Sequence, residues 1–147
     1  MSELLEFRMH DTEGGIVGLG SLLSLVPDNN WVWSVLDFDG IVQGATGLEY
    51  ADFRQKIASS PQGYVMSWTQ VREFATGVRQ CFDLLLVAAG EHRLLDPERF
   101  TAGDFAGFPL VLTASDSTWW SVEIDAGIGG ASALAARLRA RYRVETG

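Results

Sequence analysis

A chain of 147 residues, 47% hydrophobic and 20% charged, has the size and composition of one folded domain and not of a disordered segment. Its net charge of −8 argues against nucleic acid as a partner, because a phosphate backbone would be repelled, and its single cysteine, Cys81, excludes an intrachain disulfide. No stretch reaches the roughly 18 apolar residues of a membrane span, and MSELLEFRMH lacks the basic and then apolar pattern of a targeting segment, so no membrane contact and a cytoplasmic location are expected.

In chain order, ELLEFRM (3–9) reads as a strand or a short helix, followed by a turn-like break over 11–15. Leu19, Leu22, Leu23 and Val26 follow helical spacing, and Pro27, Asp28 and Asn29 stop that helix. WVWSVLDFDG (31–40) is aromatic and β-branched and predicts a strand. Asp39-Gly40 then signals a hairpin turn, with a return strand beginning at 41–43.

Thr46-Gly47-Leu48-Glu49 has the form of a capping box, and the helix it opens aligns Tyr50, Phe53 and Ile57 before Pro61. Ser67-Trp68-Thr69-Gln70 is a second box. Its helix aligns Trp68, Val71, Phe74 and Ala75, with Gly77 as the stop.

Phe82–Ala89 is nearly all apolar and predicts a central strand. Residues 90–107 form an excursion in which Asp96-Pro97 and Gly103 favour turns. Phe108–Thr113 and Trp119–Asp125 predict two antiparallel strands joined through ASDST. After a loop at Gly127, Gly129 and Gly130, a last helix runs from Ala131 to Arg143 with Leu134, Leu138 and Tyr142 on its buried side. This order does not alternate as βαβ units do. It predicts a single α+β domain, 1–147, with a largely antiparallel sheet and helices packed on one face.

Most chemical motifs are missing. Gly18-Leu19-Gly20-Ser21-Leu22-Leu23 approaches GxGxxG without its third glycine, and reads better as a lead into a helix. No phosphate-cradling GxxxxGK[ST] and no GxSxG elbow occur. His10 and His92 belong to no set with metal-ligand spacing, and Cys81, opening an apolar strand, reads as a buried thiol. The arginines at 137, 139, 141 and 143 alternate along a helix and so spread around it, at the end where cations oppose the dipole. No catalytic residue, metal ligand or cofactor is assigned. Nineteen acids leave a carboxylate-based enzyme open in principle, but no particular residues point to one, so the expectation leans away from an enzyme.

The tryptophans and acids carry the positive signal. Side chains alternate along a strand. Trp120, Val122 and Ile124 therefore form a core set, and Trp119, Ser121, Glu123 and Asp125 face the other way. Over 31–39 the same alternation groups Trp31, Trp33, Val35, Asp37 and Asp39 opposite Val32, Ser34, Leu36 and Phe38. The candidate partner-binding residues are thus Trp119, Glu123 and Asp125, with Trp31, Trp33, Asp37 and Asp39 as a second patch. Indoles supply contact area and acids supply steering, a combination suited to a basic protein.

YVMSWTQVREFATGVRQCFDLLLVAA (64–89) and DSTWWSVEID (116–125) resemble small acidic immunity proteins of bacterial polymorphic toxin systems. The resemblance rests on Ser67-Trp68 at a helix start, Gln80 before a strand, and Asp116 ahead of Trp119-Trp120, about a third of the chain. It implies a non-enzymatic inhibitor that occludes the active site of a basic toxin. The rival expectations are a small-molecule or peptide-binding module using the aromatic face as a cleft, and a hydrolase with a carboxylate-based site. The oligomeric state is not legible.

Overall fold

The computed structural model describes residues 2–10, 15–42 and 50–146. Seven antiparallel strands form one sheet in the order β3-β2-β4-β5-β6-β1-β7. They are β1 (Ser2–Arg8), β2 (Val32–Val42), β3 (Tyr64–Met66), β4 (Val78–Ala89), β5 (Leu110–Ser115), β6 (Trp119–Asp125) and β7 (Val144–Thr146). The helices are α1 (Leu19–Leu23), α2 (Tyr50–Ser59), α3 (Trp68–Gly77), α4 (Pro97–Thr101) and α5 (Ala131–Arg141). The chain is a single α+β domain, as its element order predicts.

The two faces of the sheet are covered unequally. Helices α1, α2, α3 and α5 bury Leu22, Phe53, Val71 and Leu134 in a main core with the sheet residues Phe7, Phe38, Leu86 and Trp120. The opposite face carries a smaller cluster, in which Leu95 and Phe108 from the 90–108 excursion pack on Val87, Ala89 and Val111. Part of that excursion thus packs on the sheet. Its short α4 is started by Asp96, whose side chain accepts from the Glu98 N–H, with Pro97 in the first turn. Helices do lie mainly on one face, and α4 covers part of the other.

Local chemistry explains several elements. Ser67 and Gln70 form the capping box: Ser67 Oγ accepts from the Gln70 N–H at 3.2 Å, and Gln70 Oε1 accepts from the Ser67 N–H at 2.9 Å. The β5–β6 connection is a two-residue turn. Asp116 and Ser117 both have positive φ (51° and 58°), and the Thr118 N–H closes the turn on the Ser115 carbonyl at 2.9 Å. That hand matches the twist of the strands it joins. Gly63 adopts φ +80°, and a Cβ there would lie 2.3 Å from Ser34 Oγ, so only glycine fits beneath this buried serine.

The structure corrects several expectations. Asp39-Gly40 is not a hairpin turn. Gly40 lies inside β2 at a register shift, and a Cβ there would meet the Gln80 carbonyl oxygen at 2.2 Å, so glycine serves close approach to β4. β4 starts at Val78, straight after α3, and not at Phe82. The final helix stops at Arg141. Tyr142 is extended and leads to the edge strand β7, which, like β3, is three residues long and too short to show a period. The Thr46–Glu49 capping box, the return strand at Gln43 and the turn at 11–14 lie outside the described residues.

Candidate partner-binding face

The face not covered by the four helices is built by strand alternation and cross-strand register. On β6, Trp120, Val122 and Ile124 are at most 1% exposed in the main core, and Trp119, Ser121, Glu123 and Asp125 are half-buried on the other side. Directly opposed residues of an antiparallel pair share a face. One row across the sheet therefore reads Asp37, Leu85, Thr113, Ser121, Glu6. Beside it, Asp39 opposes Asp83, and Trp119 opposes Arg8 and Ser115. On the other side Glu123 opposes Leu4, which is 41% exposed.

Of the seven candidate residues, five share this face: Trp119, Glu123, Asp125, Asp37 and Asp39. From β2 to β6 is three strand spacings, about 14 Å, so these residues form one broad surface.

Trp31 and Trp33 do not belong to it. A β-bulge between Val35 and Asp37 breaks the alternation, which sends Trp33, Val35 and Phe38 together into the helix-covered core. Trp33 is completely buried and stacks on Trp68 at 5.3 Å. Trp31 packs partly buried against the same core, 6.0 Å from Trp33. Asn29 Oδ1 holds both, accepting from the Trp31 N–H and from Trp33 Nε1. Leu36, in turn, joins the smaller cluster on the opposite face.

Four of these five side chains, Trp119, Glu123, Asp125 and Asp39, are held by neighbours. The guanidinium of Arg8 lies 4.9 Å above the Trp119 ring and pairs with Glu145 at 3.4 Å. Ser2 Oγ donates to Glu123 at 2.7 Å, and Asp125 accepts from the Gly127 N–H at 2.8 Å. Asp39 pairs with Arg54 at 3.8 Å. Asp83 accepts from the Asp116 N–H at 3.1 Å, which ties the β5–β6 turn to β4.

Where the excursion meets β6, a cleft of about 450 Å³ is lined by Asp104, Glu123 and Asp125, with Phe108 and Val111 among its apolar walls. The Ala106 N–H and then the Arg99 guanidinium hold the Asp104 carboxyl below its ordinary range, so it is ionised at neutral pH. Three carboxylates around an apolar wall can take a lysine or arginine side chain, head on the acids and stem on the aromatic surface.

Sequence reasoning missed Glu6, Arg8, Asp83 and Asp104. The alternation of ELLEFR over 3–8 already separates Leu5 and Phe7 from Leu4, Glu6 and Arg8, but nothing local says that β1 lies beside β6. Among the described residues no three His, Cys, Asp or Glu side chains converge to hold a metal ion, and no helix is long and apolar enough to cross a membrane. His10 Nε2 lies 3.0 Å from the Ser117 carbonyl oxygen, beside the β5–β6 turn. Comparison with protein-family models, curated proteins and solved structures finds no match to this chain.

Proposed function

We propose that this protein is a non-enzymatic binding domain, an immunity protein that neutralises a basic bacterial toxin by occluding it. The observation that carries the reading is the half-covered sheet. One face is sealed by four helices, and the other, only partly covered by α4 and its excursion, leaves Trp119 and Leu4 among Glu6, Asp37, Asp83 and Glu123. A net charge of −8 steers a basic partner toward it. In this reading the carboxylate cleft takes one basic side chain of the partner, and Trp119, at the other end of β6, supplies a separate apolar contact.

The test pairs the protein with a purified basic toxin domain from the same organism and measures affinity by calorimetry. Trp119→Ala is expected to cost about 2 kcal/mol or more of binding, in the range of an interface anchor. Glu123→Gln with Asp125→Asn is expected to slow association and flatten its salt dependence. Tight binding indifferent to all of these substitutions would remove this face from the interface.

A further inference from the structure

A second cleft, of about 500 Å³, lies between the end of β1, the region entering α1, and the α5–β7 junction. Its chemistry is the reverse of the rest of the molecule. Arg8, Arg141 and Arg143 all line it, and among the described residues the one carboxylate in its wall, Glu145, is already paired with Arg8. Among the described wall residues, with histidine counted as neutral, three guanidiniums and one carboxylate leave +2 in a chain of net −8.

The wall also holds Tyr142. Its ring is stacked on Phe7 at 4.8 Å with 7° between the planes, so the side chain is fixed. Its hydroxyl is buried, with the Arg141 guanidinium beside the ring. Ile16 and Val17 supply apolar wall on the same cleft. The volume is within the range of small-ligand sites.

We propose that this cleft binds an organic phosphate monoester. Arg141 and Arg143 take the phosphate dianion, and the ester substituent lies against Ile16, Val17 and the Tyr142 ring. Guanidinium forks match phosphate oxygens in pairs, and a residual charge of +2 balances a dianion better than a single carboxylate. The proposal is independent of the protein-binding reading, and Arg8 alone touches both surfaces.

The experiment is calorimetric titration of the full chain with phenyl phosphate, inorganic phosphate and benzoate. Saturable one-to-one binding of phenyl phosphate, tighter than either of the others, is expected. The double substitution Arg141→Gln, Arg143→Gln should weaken it about tenfold or more, with Arg143→Lys intermediate. Tyr142→Phe, which keeps the ring, should leave it within about twofold. Arg93→Gln, on the remote excursion, should leave it unchanged, and circular dichroism of each variant checks the fold. No saturable binding at millimolar phenyl phosphate would overturn the proposal. So would equal affinity for benzoate, or affinity unmoved by the arginine substitutions.

Discussion

Neighbouring letters in this sequence have opposite fates, and the tryptophans show it best. Trp120 is fully buried and donates from Nε1 to the Val17 carbonyl at 2.9 Å, whereas Trp119, one residue earlier, is half-buried under Arg8. Trp33 resembles Trp119 by composition and alternation, yet it is core. The two should separate cleanly by measurement. Trp33→Ala is expected to cost about 3–5 kcal/mol of unfolding free energy by denaturant titration, as for large-to-small core substitutions. Trp119→Ala should cost well under that while removing partner affinity. Cys81 makes a second prediction at this scale. Burial pushes its thiol from an ordinary 9.0 up to about 12, so the folded state holds its proton more tightly than the unfolded chain. The contribution is fully present below pH 9.0 and is lost as pH rises toward 12. Stability should therefore fall through that window more steeply in the wild type than in Cys81→Ala, and the native thiol should resist a disulfide reagent at pH 8 until the protein unfolds.

Elements were legible in proportion to their regularity. β6 was readable to the residue, because Trp119–Asp125 alternates without interruption and a polar turn precedes it. The capping box at Ser67 and Gln70 was readable because its signature is local, and Ser67→Ala is expected to lower stability by about 1 kcal/mol, measured as a shift in the denaturant midpoint at constant slope. β2 was readable as a strand but not as a pattern of faces. Its bulge adds one residue between Val35 and Asp37, and no letter in SVLDF marks it. Gly40 misled for a related reason: glycine after aspartate signals a turn, and here it lets two strands approach at a second irregularity. The short edge strands β3 and β7 carry too few residues to show any period, so they were missed.

At the scale of the molecule, composition and element order reached the fold class, whereas the candidate site depended on strand order, which they do not encode. β1 completes the face beside β6 although Arg8 and Trp119 are 111 positions apart in the chain, and only the register reveals that Glu6 and Arg8 join Ser121 and Trp119. The acidic and basic regions are likewise products of folding: acids gather on the open sheet face, and three arginines gather at the α5–β7 corner. The central claim is that the open face binds a basic protein. Affinity capture from the native organism's lysate, at low and high salt, tests it most directly, with the wild type beside Trp119→Ala and Arg93→Gln. The expected result is one basic protein retained by the wild type and Arg93→Gln at low salt, weakened at high salt and lost with Trp119→Ala. Retention of the same protein by all three variants, or no specific protein at either salt, would contradict it.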